Sequence, residues 1–307
     1  MKQDAVTFTD LAGSVLAVPP LARSADLVFN RSANTALVRH IEAGGVSTLL
    51  YGGNANFYNI GLYEYASILD ALAEIVAPRT WVIPSVGPDF GKMLDQAAVL
   101  KARKFPTAMA LPMTFPMTFA GAATGLRRFA DALGKPIIVY VKAEGYLTPE
   151  NVKRLVDDGV VAAIKYAIVR QDPKQDAFLS KLVELCDRRY IVSGIGERPA
   201  IIHLRDFGLN GFTSGSVCVG PRGSMKILEA CKRKDWATAE KIRENYLPLE
   251  DARDTLSPIR VLHEAVSLAG IADMGPMLPL LSNLDAEHHG RAKQAAQDLL
   301  AADRALA

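Results

Sequence analysis

Short apolar runs rich in Val and Ile alternate with longer amphipathic stretches along most of this chain, and no other feature constrains its fold as tightly. Eight runs can be read, ending at Val18 (GSVLAV), Tyr51 (STLLY), Ser85 (WVIPS), Leu111 (TAMAL), Tyr140 (PIIVY), Lys165 (VVAAIK), Gly194 (YIVSG) and Ser214 (GFTS). A strand covered by helices on both faces of a parallel sheet reads as a continuous apolar run. Successive ends lie 20 to 34 residues apart, room in each case for a loop, a helix and the next strand. The gaps carry helical patterns, among them YEYASILDALAEIV, GKMLDQAAVLKARKF and TPENVKRLVDD, with Thr148 as N-cap and Pro149 at the first helical position of the last. Eight such units over about 230 residues predict an α/β fold of the (β/α)8 TIM-barrel type. An open doubly wound sheet is the alternative.

After residue 220 the pattern turns purely helical, through SMKILEACKRK, WATAEKIRENYLPLEDA, PIRVLHEAVSLAG and HHGRAKQAAQDLLAADRALA. The expected organisation is one structural unit, with a barrel over 1–225. Residues 226–307 then hold the last barrel helix and a C-terminal helical extension of about three helices packed on it.

Half of the 307 residues are hydrophobic, enough for a large core. The net charge of +2 comes from 35 basic and 33 acidic residues spread along the chain, which leaves no electrostatic footprint for nucleic acid or an anionic membrane. The short run Lys232-Arg233-Lys234 reads as a solvated helix end, where cations favour the helix dipole. No apolar run reaches the ~18 residues of a membrane span, and MKQDAVTFTD lacks the apolar core of a signal peptide, so a cytoplasmic protein is expected. Cys186, Cys218 and Cys231 are too few and too scattered for a disulfide framework or a thiolate metal site. His288 and His289 read as surface residues, His203 and His263 as packed or capping ones, and no metal site is expected. Walker, GxGxxG, HExxH and GxSxG motifs are absent, and SGIGERPA departs from the dinucleotide pattern at its last glycine.

Active sites of such barrels lie at the C-terminal ends of the strands, so polar residues that end apolar strands come first as candidates. Tyr140 and Lys165 end neighbouring strands. An amine held among Val and Ala is partly desolvated, its pKa falls, and in the neutral form it can attack a carbonyl carbon to give a Schiff base. A phenol in reach suits the proton transfers that imine formation needs. Each residue taken singly is more often a solvated strand end or a rim aromatic. The run Gly52-Gly53-Asn54 after the second strand offers either a tight turn or a nest of free backbone N–H groups for a carboxylate.

Taken in order, GGNANFYN after strand 2, Tyr140 ending strand 5, Lys165 in AAIKYA ending strand 6 and GFTSGSVCVGP at strand 8 resemble the dihydrodipicolinate synthase and N-acetylneuraminate lyase superfamily of class I aldolases. The resemblance implies that Lys165 forms an imine with a 2-oxo acid such as pyruvate and that Tyr140 shuttles protons. By the same resemblance Gly53 and Asn54 hold the carboxylate, with Gly52 beside them in the nest as a further substrate-binding candidate, Thr213 faces the reacting centre through its carbonyl, and Gly194 lies on the rim. No cofactor beyond the covalent imine is implied, and relatives are usually homotetramers or homodimers. Departures are informative. Gly53 and Asn54 replace an adjacent pair of hydroxyl residues, Thr114 stands near a usual second tyrosine, and Gly145 occupies the place of a substrate-binding arginine. A true dihydrodipicolinate synthase is therefore not expected. The loop is closer to the dehydratase branch, which points to an aldolase or dehydratase of 2-oxo-3-deoxy sugar acids, with Lys142, Glu144 and Tyr146 as candidates for the distal end. A catalytically altered barrel that binds a 2-oxo acid in a regulatory role is the competing reading.

Overall fold

The computed structural model describes residues 1–306. Eight parallel strands close into a barrel in sequence order: β1 (Leu16–Ala17), β2 (Thr48–Tyr51), β3 (Trp81–Val86), β4 (Met109–Ala110), β5 (Ile137–Val141), β6 (Val161–Tyr166), β7 (Ile191–Ser193) and β8 (Gly211–Ser214), with Leu16 beside Thr213 to seal the ring. Every strand ends within one residue of the end expected from its apolar run, and the open-sheet alternative is excluded.

Helices fill the crossovers: α2 (Arg31–Ala43), α3 (Leu62–Ile75), α4 (Phe90–Lys101), α5 (Phe119–Leu133), α6 (Pro149–Asp157), α7 (Ala177–Leu185), α8 (Glu197–Asp206) and α9 (Pro221–Lys232). Thr148 caps α6 as its sequence suggests, accepting from the Asn151 N–H while Asn151 reaches back to the cap. Short polar caps recur at Asn30, Thr118 and Asp176, each satisfying an N–H that the first helical turn leaves free. The bundle of Lys232, Arg233 and Lys234 closes α9 as expected.

One helix has no counterpart in the sequence pattern. α1 (Phe8–Gly13) is six residues long with Leu11 alone buried, too short to show a period; a capping box between Thr7 and Asp10 starts it. It plugs the N-terminal end of the barrel, where Asn210 donates to the Phe8 carbonyl and any Cβ at Gly211 would stand 2.7 Å from the Leu11 carbonyl.

Beyond α9 come α10 (Trp236–Arg243), α11 (Leu247–Thr255), α12 (Pro258–Leu268) and α13 (Ala286–Arg304). The stretch WATAEKIRENYLPLEDA is thus two helices, because Pro248 has no N–H to continue the first and suits the opening turn of the second. Among the described residues no helix is long and apolar enough to cross a membrane.

Candidate active site

Tyr140 on β5 stands in register with Lys165 on β6. Side chains alternate between the two faces of a strand, so both turn to the same side of the barrel wall while Tyr166 turns outward, its hydroxyl bonded to Asp176 at the start of α7. Lys165 is 5% exposed, and its Nζ lies 4.5 Å from the centre of the Tyr140 ring. Two effects compete there. An ammonium over an aromatic face gains about 1 kcal/mol, whereas taking it out of water costs several. Desolvation wins: burial first, and the positive charge of Lys142 second, bring the Lys165 amine from its ordinary value near 10.5 to about 7. Burial moves the Tyr140 phenol the opposite way, above its ordinary range, which keeps it a proton donor.

Both residues line a cavity of about 270 Å³ at the C-terminal ends of the strands. Gly53, Asn54, Gly194 and Thr213 are in its wall, together with Lys142. The loop after β2 folds into a 3-10 turn over Gly53–Ala55 in which the N–H groups of Gly53 and Asn54 have no partner among the backbone hydrogen bonds. Such paired free donors form an anion-binding concavity. The Asn54 side chain is already committed, donating to the Val18 carbonyl at 3.0 Å and tying the loop to the end of β1.

Gly52 must be corrected. It lies beneath the turn rather than in the cavity wall, where its carbonyl accepts from Ala55 and Phe57 and a Cβ would meet the Met109 methyl at 2.8 Å. Gly194 has a steric reason to be glycine: a Cβ would stand 2.7 Å from the Tyr166 carbonyl and 3.0 Å from Cγ of Lys165, displacing the nucleophile candidate. Of the three residues expected to read a distal group, Lys142 alone reaches this cavity. Glu144 is exposed and paired with Arg170, and Tyr146 is buried in the wall of a second hollow. Thr114 and Gly145 are exposed and outside the cavity.

That second hollow, about 720 Å³ and between the starts of α4 and α5, is the larger of the two. Its wall is mostly Phe, Met, Pro and Ala and contains neither Lys165 nor Tyr140, so size does not identify the site.

Three features of the Lys165 cavity and its rim had no signal in the sequence. Tyr58, from the same loop as Gly53, contributes a second phenol. Arg253, on α11, donates from its guanidinium to the Ile195 carbonyl at 2.6 Å and so holds the rim after β7. Behind that rim Glu250, also on α11, accepts from the Glu197 and Arg198 N–H groups at 2.9 and 2.7 Å and caps α8 from outside. Gly196 takes a φ of +101° to let it approach. Burial, and Glu197 beside it, push the Glu250 carboxyl up to about 8. Contacts of this kind join residues far apart in the chain and leave no periodic trace.

Fold and site define a (β/α)8 barrel with an amine and a phenol paired at the C-terminal mouth of its strands. The chain matches the dihydrodipicolinate synthetase family over residues 16–298 and belongs to that family, whose members are lyases. It is 30% identical over 176 residues to the 4-hydroxy-tetrahydrodipicolinate synthase of Corynebacterium jeikeium, covering 56% of this chain and about half, 55%, of that relative's length. It is 24% identical over 264 residues to a probable 5-dehydro-4-deoxyglucarate dehydratase of Streptomyces coelicolor, 83% of this chain and 82% of the relative. A crystal structure of a prophage protein of the dihydrodipicolinic acid synthase family from E. coli K12, in complex with pyruvate, superposes with a TM-score of 0.82 at 20% identity, over 93% of this chain and 98% of that one.

Proposed function

We propose that this chain is a lyase in which Lys165 forms an imine with a 2-oxo acid, acting as an aldolase or dehydratase on a 2-oxo-3-deoxy sugar acid. The observation that carries the proposal is the Lys165 amine, brought to about 7 by burial and set against the Tyr140 ring. At neutral pH a large fraction of that amine is unprotonated and can attack C2. Tyr140 gives a proton to the departing carbinolamine hydroxyl, and the free N–H groups of Gly53 and Asn54 receive the substrate carboxylate while its carbonyl is attacked. Lys142 stands in the same wall, suited to an acidic or hydroxylated distal end. The relative named as a 5-dehydro-4-deoxyglucarate dehydratase supports a sugar acid as the substrate class.

The imine and enamine are common to both branches, which part at the substrate's C4: loss of a hydroxyl keeps the carbon skeleton, and cleavage of C3–C4 releases pyruvate. Incubation with a panel of 2-oxo-3-deoxy acids, read by product mass, is expected to give either a product lighter by one water or pyruvate plus an aldehyde. A panel that passes through unchanged, with no covalent adduct to pyruvate, is the result expected of a barrel that binds a 2-oxo acid without turning it over.

A further inference from the structure

We infer that Asn56 is a positioning residue for the substrate carboxylate: its side-chain amide ties the nest at Gly53 and Asn54 to the segment 269–285, between α12 and α13. The inference rests on the imine reading above and adds to it the contact that sets the direction of the nest.

A donor holds an anion only while it points at it, because a hydrogen bond weakens steeply as its angle closes. The Gly53 and Asn54 N–H groups belong to a single 3-10 turn. Its own bonds, from Ala55 and Phe57 to the Gly52 carbonyl and from Asn56 to that of Gly53, fix its shape but not its tilt against the barrel.

Two side-chain amides fix the tilt. On the side of β1, Asn54 donates to the Val18 carbonyl at 3.0 Å. On the other side stands Asn56, buried, at the junction of the turns Gly53–Ala55 and Phe57–Asn59. It has φ +54° and ψ +33°, the left-handed region that asparagine tolerates better than most residues. Its Nδ2 donates to the Leu278 and Pro279 carbonyls at 3.2 and 3.1 Å, and its Oδ1 accepts from the Asn59 amide at 2.7 Å. Both amide hydrogens and the oxygen are thus in use. Leu278 and Leu280 are exposed where this junction forms, so the amide rather than apolar packing makes it.

The far side of the junction is itself anchored. His263 of α12 donates to the Gly275 carbonyl at 2.9 Å, Ser267 accepts from the Met274 N–H at 2.9 Å, and Asn283 accepts from the Met277 N–H at 3.0 Å. Arg260, also on α12, donates to the Ser282 carbonyl at 2.7 Å. α12 presses on the turn as well: a Cβ at Gly215 would stand 2.3 Å from Leu262 Cδ1 and 2.7 Å from Asn54 Nδ2, so the three are in close contact. A segment more than 200 residues later in the chain therefore sets the direction of two donors in the loop after β2. Lys165 and Tyr140 stand on β5 and β6, and neither is a partner of Asn56. Loss of the amide is thus expected to weaken capture of the carboxylate and leave the amine's reactivity as it was.

Borohydride trapping tests this, with the rate of adduct formation on the Lys165 peptide measured against pyruvate concentration. Acetaldehyde, a carbonyl compound without a carboxylate, is run in parallel. Asn56→Gly keeps the left-handed backbone and removes the amide; Asn56→Asp keeps the shape and the acceptor but has no donor for the two carbonyls. In both variants the half-saturating pyruvate concentration is expected to rise at least about tenfold, the effect of losing one or two net hydrogen bonds. The rate at saturating pyruvate and the rate with acetaldehyde are expected to stay within twofold of wild type. A smaller rise in both variants, a saturating rate that falls in step with affinity, or an equal loss with acetaldehyde overturns the role, since each describes a loop that is merely destabilised or irrelevant. Absence of trapping by the wild type with pyruvate is a separate failure: it removes the imine reading itself.

Discussion

Lys165 shows what position does to a single amine. Folding takes it from water, where it is charged up to about pH 10.5, into a wall of Ala, Ile and Tyr where it is charged only below about 7. Between those two values the folded chain binds fewer protons at this group than the unfolded chain does, so the group makes stability rise with pH across that window and costs most below it. Lys165→Met keeps the volume and removes the charge, relieving at most about 4 kcal/mol at neutral pH. The variant is expected to melt several degrees above wild type at pH 6, with the gap closing toward pH 10, while losing activity. Calorimetry at both pH values checks it: equal melting temperatures at pH 6 contradict a desolvated amine. This residue was legible in the sequence because a lysine is conspicuous at the end of VVAAIK. Gly52 was misjudged for the opposite reason, since nothing in Gly-Gly-Asn tells which glycine is under the turn and which faces the cavity.

At the scale of elements, the rim between β7 and α8 is held by a helix that joins the chain much later. Glu250 caps α8 and Arg253 fixes the Ile195 carbonyl, both from α11. Glu250→Ala strands the buried Glu197 N–H and the part-buried Arg198 N–H and unpairs Arg253, a loss on the order of 3 kcal/mol. Glu250→Gln keeps an acceptor and resembles the protonated carboxyl, so it is expected to stay within about 1 kcal/mol of wild type. Denaturant unfolding of the two variants decides it, and equal stabilities for Ala and Gln would show that the cap contributes nothing. Strands and crossover helices could be read because burial on both faces of a strand and on one face of a helix imposes a period. Arg253, Glu250 and Tyr58 could not, because each acts through a contact that the closed barrel creates. α1 escaped notice through brevity.

For the whole molecule, closing eight short strands gathers Tyr140, Lys165, Gly194 and Thr213 around one mouth, although they come from the ends of four successive strands. The loop after β2 and the helical extension then shape what that mouth admits. Membership in the dihydrodipicolinate synthetase family fits this construction. The most direct measurement is borohydride reduction of the purified protein in the presence of pyruvate, followed by intact mass and peptide mapping. The mass of one reduced pyruvate on the peptide containing Lys165, and its absence from Lys165→Met, is the predicted result. No adduct on the wild type with pyruvate or with any 2-oxo-3-deoxy acid, or an adduct on another lysine, would contradict it.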